Sequence, residues 1–268
     1  MSALTIVIVS YNARDDLARC LDSLRAAPPA IDHEIVVVDN ASTDGSAETA
    51  SGRAAVRLVA LPDNVGFAAA NNVAIRASGG ELVLLLNSDT IVPPGAIDGL
   101  VASLRASPDA AAAGPRLVDG EGRPELSFGE MVSPLAEWRQ KRLLAAAARG
   151  RPAALQTIDA RTRARRHPDW VSGACLLVRR ADAEAVGLLD ERYFMYLEDV
   201  DFCAALRARG RRILFVPDVT IVHLRGRSRQ AAPAATNRAY RDSHRAFYAK
   251  HHPRWAPLLG AYLRLKGA

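Results

Sequence analysis

Polar side chains directly follow two short apolar runs near the start of the sequence, LTIVIV (4–9) and EIVVVD (34–39), and their types suit nucleotide binding. The residues concerned are Ser10, Asn12, Asp39, Asn40 and Ser42. A carboxylate there can accept a hydrogen bond from the N3–H of a uracil or thymine ring, while backbone amides reach the sugar or phosphate. Helix capping explains the same residues, because Ser and Asp accept hydrogen bonds from the unpaired N–H groups of a helix start. The residues alone leave both interpretations open.

A third apolar run, VRLVAL (56–61), also leads to polar residues. Asn64 and Gly66 follow it, and the next helical window contains Asn72. Gly66 would let a nucleotide approach the backbone, although a turn before a helix accounts for a glycine equally well. The sequence has no GxGxxG motif after the first two runs and no GxxxxGK[ST] motif, which argues against a dinucleotide or P-loop site.

The fourth run, ELVLLL (81–86), leads straight into the polar triplet Asn87, Ser88 and Asp89. At the edge of a sheet, these oxygens could coordinate a hard cation that bridges a diphosphate. Oxygen ligands without thiols favour Mg²⁺ or Mn²⁺ over zinc. A simple turn is the commoner explanation of such a triplet.

A cluster of acids, Glu198, Asp199 and Asp201, follows an aromatic stretch at 193–196. Acids in the first turn of a helix are stabilised by the macrodipole and need no other role. A carboxylate beside apolar aromatic surface can instead have its pKa raised toward that of a useful general base. His223 ends a predicted strand, where it is either a packed residue or a neutral metal ligand.

The elements that must position these residues alternate along the chain. Through residue 118, strand-like runs that are apolar on both faces alternate with amphipathic helical windows, as in a covered parallel sheet. This pattern predicts a doubly wound α/β fold with ligands at the carboxyl ends of its strands. Beyond residue 118 we expect a turn or hairpin at 119–130, helices at 134–149 and 198–210, strands at 212–216 and 219–224, and basic helices from 233.

Composition places the 268 residues, 49% of them hydrophobic, among ordinary globular proteins. Apolar runs stay below the roughly 18 to 20 residues of a membrane span, so we expect neither a spanning helix nor a signal peptide. Three widely separated cysteines indicate a reducing cytosol without a disulfide or zinc framework. The net charge of +6 is uneven, because residues 223–268 hold ten Lys or Arg and one acid, whereas the remainder holds 25 basic and 28 acidic residues.

Seven motifs, taken in order, resemble those of the inverting family 2 glycosyltransferases with a GT-A fold, in the branch that includes bacterial rhamnosyltransferases. They are VSYN (9–12), VVDNASTDGS (37–46), NVGFAAANN (64–72), LLLNSDT (84–90), WVSGACLLVRR (170–180), LDERYFMYLEDVDFC (189–203) and VHLRGRS (222–228). The match is poor at 120–168 and in the far tail. The resemblance implies a mixed, mostly parallel sheet with helices on both faces. It also implies a GT-A domain at 1–228, with a nucleotide-binding half (1–118) and an acceptor and catalytic half (119–228), and a basic helical tail at 229–268.

The resemblance also implies roles for the matching residues. Asp39 would read the pyrimidine base, Asp89 would close the family's acid-x-acid metal motif, and His223 would complete the metal shell. Asn87 stands in the first acidic position, so Mg²⁺ or Mn²⁺ should bind weakly without the donor diphosphate. Asp199 matches the catalytic base, with Glu198 as the alternative. Ser172 and Gly173 would line the donor-sugar pocket, and Arg225 or Ser228 would contact phosphate. The nucleotide would be bound by Ser10, Asn12, Asn40, Ser42, Asn64, Gly66, Asn72, Asn87 and Ser88.

This branch implies that the donor is dTDP-L-rhamnose, with UDP-sugars second, and that the acceptor is a saccharide or polyprenyl-linked saccharide of the cell envelope. In the tail, basic residues interleave with the aromatic residues Tyr240, Phe247, Tyr248, Trp255 and Tyr262. Such a segment can lie on an anionic membrane surface, which would place the enzyme in the cytoplasm at the inner face of the membrane. A solvated helix or a homodimer contact is the alternative.

Two other classes of protein compete with this interpretation. A nucleotidyltransferase would need a Gly-rich, basic phosphate loop after the first strand, and VSYNARDD offers none. A nucleic-acid-binding protein could use the basic tail, but Asp39, Asp89 and Asp199 would then have no purpose. We therefore expect no nucleic-acid partner. A protein that binds the nucleotide sugar without transferring it is a further alternative, because Asn87 is not an acid.

Overall fold

The computed structural model describes residues 2–224 and 233–265, so Arg225 and Ser228, assigned above to phosphate, lie outside the described residues. The strands are β1 (Leu4–Ser10), β2 (His33–Asp39), β3 (Val56–Ala60), β4 (Leu82–Asn87), β5 (Thr90–Ile91), β6 (Ala110–Val118), β7 (Phe128–Gly129), β8 (Trp170–Val171), β9 (Cys175–Arg179) and β10 (Arg212–His223). The helices are α1 (Arg14–Ala26), α2 (Ser46–Ser51), α3 (Phe67–Arg76), α4 (Ala96–Arg105), α5 (Pro134–Ala148), α6 (Pro152–Thr162), α7 (Arg180–Ala185), α8 (Glu198–Ala208), α9 (Pro233–His251) and α10 (Ala256–Leu265).

Eight strands form one mixed, mostly parallel sheet in the order β3-β2-β1-β4-β9-β6-β10-β5. Strands β3, β2, β1 and β4 are parallel to one another, and β6 is parallel to β10. Strand β9 lies between β4 and β6 and is antiparallel to both. At the outer edge β5 pairs antiparallel with β10. The predicted α/β fold with its mixed sheet is confirmed.

The register of the sheet brings the carboxyl ends of three strands to one level. Ser10 pairs with Asp39 across β1 and β2, and Val9 pairs with Asn87 across β1 and β4. The polar residues that follow these strands therefore begin at the same edge of the sheet.

Helices cover both faces of the sheet. Ile6 and Ile8 share one buried cluster with Leu17 of α1 and Leu100 of α4, whereas Val7 lies in a second cluster with residues of α3, α8 and α9. Successive side chains of a strand point to opposite faces, so a strand covered on both sides has consecutive apolar residues, as at 36–38 in β2 and 82–86 in β4. The edge strand β3 is only partly buried. The four predicted strands agree with β1 to β4 within one residue at each end.

Beyond residue 118, the two separate strands predicted at 212–216 and 219–224 are wrong, the helix predicted at 134–149 is confirmed as α5, and helix α6 was not predicted. The runs at 212–216 and 219–224 form one strand, β10, whose pairing with β6 shifts register between Val216 and Thr220. Pro217 lies in this interruption, and a proline has no N–H to donate to the ladder. In addition, the helix expected at 134–149 is followed by a second helix, α6, which buries Ala154, Ile158 and Thr162 at a spacing of four residues.

The hairpin expected at 119–130 is present and tight. The Asp119 N–H donates to the Arg123 carbonyl at 2.9 Å, and the Glu125 N–H donates to the Leu117 carbonyl of β6 at 2.9 Å. The chain thus turns back along the end of β6. Because β6 is the neighbour of β10, Glu125 is brought next to the end of β10.

The first helix of the tail packs onto the body of the protein. Phe247 and Tyr248 of α9 are 0% and 4% exposed, and the Lys250 ammonium lies 2.8 Å from carboxylate oxygens of both Asp190 and Asp201. The prediction that the whole tail lies on a membrane is therefore wrong for these three residues. Tyr262 in α10 and Trp255, which immediately precedes α10, are exposed.

Two further observations concern the predictions about membrane-spanning helices and about the cysteines. Among residues 2–224 and 233–265, helices fall short of the length and apolarity needed to cross a membrane. Cys20, Cys175 and Cys203 are buried free thiols, and burial raises the pKa of each.

Candidate active site

Asp39 holds a buried acceptor at the carboxyl edge of the sheet. The residue is 3% exposed, and its Oδ2 accepts a hydrogen bond from the Ser42 N–H at 3.0 Å. Its Oδ1 and the hydroxyl of Ser10, its partner in the sheet, are buried and have no hydrogen-bond partner among the described residues. Buried polar atoms are rarely left unpaired unless a ligand or water completes them. This pair therefore suits a ligand that brings its own N–H donor.

Polar side chains after β1 and β2 hold two loops against each other. The Asn12 N–H donates to the Ser42 hydroxyl at 2.9 Å, and the Thr43 N–H donates to Asn12 Oδ1 at 2.8 Å. Asn12 and Ala41 adopt positive φ angles of 48° and 64°, which are uncommon for non-glycine residues. The N-cap of α2 is Gly45, without a side-chain cap. Asn12 and Ser42 therefore shape the loops of the site rather than cap this helix.

Asn40 and Asn64 extend this network to the loop after β3. Asn40 donates through Nδ2 to Asn64 Oδ1 at 2.8 Å and accepts from the Val65 N–H at 2.9 Å. The Gly66 N–H also donates to Asn64 Oδ1, at 3.0 Å. The loops that follow β1, β2 and β3 are thus tied together by side-chain amides and hydroxyls.

Gly66 and Asn72 face a distant part of the chain. Gly66 has a φ of +86°, and a Cβ atom on it would lie 2.5 Å from the Phe194 carbonyl oxygen. Asn72 is fully buried, and its amide donates to the Leu189 carbonyl at 2.8 Å and accepts from the Leu189 N–H at 3.1 Å. Asn72 thus binds Leu189, and Gly66 leaves room for Phe194, so both residues pack the 189–194 segment against the first half of the chain. Their assignment to the nucleotide stays a prediction.

His223 joins two carboxylates at the end of β10. Its Nε2 lies 3.2 Å from Asp89 Oδ1, and its Nδ1 lies 3.3 Å from Glu125 Oε2. Burial works to lower the pKa of His223, but the hydrogen bonds and charges of Asp89 and Glu125 raise this pKa to about 9. The backbone fixes the arrangement, because β5 pairs with β10 and the Leu224 N–H donates to the Asp89 carbonyl at 2.8 Å.

The donor set here fits Mg²⁺ or Mn²⁺. Asp89 Oδ1 and His223 Nε2 lie 3.2 Å apart and would supply a carboxylate oxygen and an imidazole nitrogen. Asn87 has a buried Oδ1 without a hydrogen-bond partner among the described residues. Over 2–224 and 233–265, His, Cys, Asp and Glu side chains form no group of three able to hold a metal ion. A cation bound by one or two carboxylates commonly takes further ligands from substrate phosphates. Ser88 is only partly buried beside these residues.

Asp199 and Glu198 begin α8, and their environments differ. Asp199 Oδ2 accepts from the Gly173 N–H at 2.8 Å, and its Oδ1 accepts from the Val200 N–H at 2.8 Å. Glu198 is 6% exposed, and its Oε2 has no hydrogen-bond partner in the described part of the chain. Burial raises the pKa of Asp199, with the two N–H donors opposing this effect. Burial, and then the charge of Asp199, raise the pKa of Glu198 well above its usual value.

These differences assign the charge within the pair. Hydrogen bonds donated to a carboxylate favour its ionised form, and Asp199 receives two of them from backbone N–H groups. Glu198 lacks such support and is held beside a negative charge. Asp199 is therefore the member of the pair that ionises first, and it is the better candidate for a general base.

A short loop joins the two ends of the site. The Asn87 N–H donates to the Ala174 carbonyl at 2.9 Å, next to Gly173, which binds Asp199. The Ser172 N–H donates to the Ser127 carbonyl at 2.8 Å. Residues 172–174 thus run from the end of β4 at Asn87 to the carboxylates of α8.

Sequence reasoning missed Glu125 and Ser127. Both lie in the segment that matches the family motifs poorly, and an acid in a turn-rich stretch gave no periodic signal. Glu125 is 8% exposed and holds His223, while Ser127 has a buried hydroxyl without a hydrogen-bond partner among the described residues.

Solved structures with the same fold are glycosyltransferases. The mannosyltransferase PcManGT from Pyrobaculum calidifontis in complex with GDP-Man and Mn²⁺ superposes with a TM-score of 0.63 and 21% identity, over 97% of this chain and 69% of that chain. Staphylococcus aureus TarS 1-349 in complex with UDP-GlcNAc gives a TM-score of 0.57 and 20% identity, over 83% of this chain and 58% of that chain. At these identities the likeness shows the fold alone, and that fold is of the GT-A class.

Sequence comparison narrows the class to a family. The chain matches the family model for Glycosyl transferase family 2 over residues 5–185, and it belongs to that family. The N-acetylglucosaminyl-diphospho-decaprenol L-rhamnosyltransferase of Mycobacterium tuberculosis is 33% identical, over 95% of this chain and 87% of the relative. The rhamnosyltransferase WbbL of Escherichia coli is 42% identical over 55 residues, which are 20% of this chain and 21% of the relative.

Replacing Glu125 should weaken the cation site. In Glu125→Gln the His223 imidazole loses the carboxylate that holds its Nδ1, and removing such a partner typically lowers metal affinity about 10- to 100-fold. The measurement is Mn²⁺ binding by electron paramagnetic resonance in the presence of dTDP. Glu121→Gln is the matched control, because Glu121 is exposed in the same hairpin and pairs with Arg123. Equal Mn²⁺ affinity in both variants would contradict the assignment.

Proposed function

We propose that this protein is an inverting, metal-dependent rhamnosyltransferase that moves L-rhamnose from dTDP-rhamnose to a polyprenyl-linked saccharide in cell-envelope synthesis. The observation on which this proposal rests is the grouping of Asp39, Asn87 and the 172–174 loop at one sheet edge. This edge continues to Asp89 and His223 at one end and to Asp199 at the other. The L-rhamnosyltransferase from Mycobacterium tuberculosis, which matches nearly the whole chain, supports L-rhamnose as the transferred sugar and a lipid-linked acceptor.

The nucleotide would lie along the edge formed by β1 and β2. Asp39 has a buried acceptor without a partner among the described residues, and the N3–H of a thymine or uracil ring is a donor of suitable chemistry. The loop network of Asn12, Ser42 and Asn40 holds the neighbouring backbone in one conformation. This preorganisation lowers the entropy lost when the nucleotide binds.

The diphosphate would lie at the other end of the same edge, where Asp89 and His223 would hold Mg²⁺ or Mn²⁺. When bound, such a cation supplies charge stabilisation to the departing diphosphate. Glu125 keeps the His223 imidazole in place from the opposite side, since its Oε2 is 3.3 Å from Nδ1. Asn87 is an amide in the position where the family's motif has an acid, so this end of the site carries one negative charge fewer. Cation binding therefore depends on the charge of the diphosphate.

Asp199 would act as the general base. It takes the proton of the acceptor hydroxyl while that oxygen attacks the anomeric carbon, and the bond from this carbon to the diphosphate breaks on the opposite face. One displacement of this kind inverts the anomeric configuration. The Gly173 N–H, at 2.8 Å from Asp199 Oδ2, fixes the carboxylate beside the proposed donor-sugar pocket of Ser172 and Gly173.

The proposed reaction can be tested directly. Incubation with dTDP-[¹⁴C]rhamnose, Mn²⁺ and a polyprenyl-diphospho-N-acetylglucosamine should yield a radiolabelled lipid, separated by thin-layer chromatography. UDP-N-acetylglucosamine and GDP-mannose serve as donor controls and should yield much less product. Transfer from a UDP-sugar alone would replace the donor assignment, and absence of transfer from every nucleotide sugar would contradict the proposal as a whole.

Substitution of the base should separate catalysis from binding. Asp199→Asn should lower turnover about 10²- to 10⁴-fold, while dTDP affinity measured by calorimetry with Mn²⁺ stays close to that of the wild type. Glu198→Gln should lose much less turnover, because Asp199 is the member of the pair that ionises first. Since burial raises the pKa of Asp199, wild-type kcat should rise with pH through this raised pKa and then level off. Near-full turnover in Asp199→Asn would remove Asp199 from the role.

We also propose that the tail contacts the membrane through α10 rather than α9. Trp255, Leu258 and Tyr262 are 50%, 61% and 51% exposed, and the exposed Arg254 and Arg264 accompany them. Apolar and aromatic residues with arginines are typical of interfacial helices, and each basic group near an anionic surface contributes about 1 kcal/mol. An acceptor carried by a polyprenyl chain would be met at such a surface.

Vesicle sedimentation tests this contact. The protein should pellet with phosphatidylglycerol vesicles at low salt and should be released at high salt, because screening weakens the attraction. Replacing Trp255, Leu258 and Tyr262 by Ser should abolish pelleting. Leu155→Ser, which alters an exposed leucine of α6, is the matched control and should pellet normally. Wild-type protein that stays in the supernatant at low salt would contradict the proposal.

A further inference from the structure

The carboxylates of α8 follow two consecutive residues with left-handed backbone. Tyr196 has a φ of 72° and Leu197 a φ of 68°, immediately before Glu198. Non-glycine residues seldom adopt this conformation, and it persists only where the surrounding structure fixes it. We call residues 195–201 the base segment. The place of Asp199 beside Gly173 therefore depends on whatever fixes the start of the base segment.

Helix α9 holds the start of the base segment. The Ser243 hydroxyl, on a residue that is 2% exposed, donates to the Met195 carbonyl at 2.7 Å. The ring of Tyr240, one turn earlier on α9, meets the ring of Tyr196 edge to face at 5.7 Å between centroids. Both contacts come from residues more than forty positions further along the chain.

The same helix holds the end of the base segment. Asp201 is 2% exposed, and the Lys250 ammonium donates to its Oδ2 at 2.8 Å. The His251 Nε2 lies 2.6 Å from Asp201 Oδ1, and the Tyr193 hydroxyl donates to that oxygen at 3.2 Å. Hydrogen bonds between charged groups are stronger and shorter than neutral ones, and the Asp201 end of these contacts is buried. Asp199 thus lies between two points that α9 fixes.

Helix α9 has its own anchor elsewhere in the protein. Glu137 of α5 accepts from the Tyr248 hydroxyl at 2.9 Å and lies 2.7 Å from His244 Nε2. Burial raises the pKa of Glu137, but hydrogen bonds from His244 and Lys141 lower it to about 2, so this carboxylate stays ionised at neutral pH. Phe247 is fully buried. The contacts of Glu137 with His244 and Tyr248 do not involve the base segment, so they fix α9 independently of it.

From this arrangement we infer that α9 is a positioning element for the general base, with Ser243 on one side of Asp199 and Lys250 with His251 on the other. The inference rests on the proposed role of Asp199. Ser243, Lys250 and His251 act through the base segment rather than on the substrate. Misplacement of a reacting group by about 1 Å can lower a rate about 10²-fold, so loosening this support should lower turnover before it alters donor binding.

The test is a double-mutant cycle in the full-length protein. Lys250→Ala with His251→Ala should lower kcat about 10- to 100-fold, with dTDP affinity and the KM for the donor unchanged within about twofold. In the Asp199→Asn background the same two substitutions should cause no further loss of kcat, because there is no base left to position. Lys250→Arg with His251→Gln should restore most of the activity. Arg245→Ala is the matched control, since Arg245 is exposed on the same helix and should keep wild-type kcat.

Each outcome decides the inference. Wild-type kcat in the double variant, or an equal fractional loss with and without Asp199→Asn, would overturn it, because a helix that only stabilises the fold would act in both backgrounds alike. Should the double variant fail to fold in a thermal melt, Ser243→Ala removes a single hydrogen bond and is taken through the same cycle, with the same prediction. If Asp199→Asn itself retained wild-type turnover, the proposed base would be wrong, which is distinct from a failure of α9 as its support.

Discussion

The parallel pairing of β1 with β2 and β4 is the constraint on which the rest of the site depends. It places Ser10 beside Asp39 and Val9 beside Asn87, so the polar loops that follow start from one row. Parallel strands pair in one direction and their carboxyl ends therefore meet. A shift of register by one residue would send every side chain of a strand to the other face, and Ser10 and Asp39 would no longer be partners.

Much of this fold could be predicted from sequence because burial leaves a clear pattern there. Consecutive apolar residues form most of the buried parts of β1, β2 and β4, and the polar residues that follow them mark the strand ends. Glu125 gave no such signal, since its role follows from a hairpin that turns it toward His223. Asn72 looked like part of a binding motif, yet it holds Leu189. Contacts between residues far apart in the chain decide both cases, and a single sequence does not display them.

The tail illustrates the same limit. Its basic and aromatic composition is compatible with a membrane surface, with solvent and with another protein surface, and α9 uses Phe247, Tyr248 and Lys250 to pack on its own chain. The charge of Lys250 is balanced by Asp190 and Asp201. An excess of positive charge counted along a sequence therefore overstates what remains for a partner, because internal acids neutralise part of it.

The antiparallel strand β9 gives the two halves of the chain a common scaffold. It lies between β4 and β6, although its residues come after 170, so it closes the edge of β4 with backbone drawn from the second half. A polypeptide ending at residue 118 would leave that edge open, with unpaired N–H and C=O groups that invite aggregation. Despite their different chemistry, the two halves are one folding unit, and recombination that exchanges one half for that of a relative must preserve the fit of β9 to both neighbours.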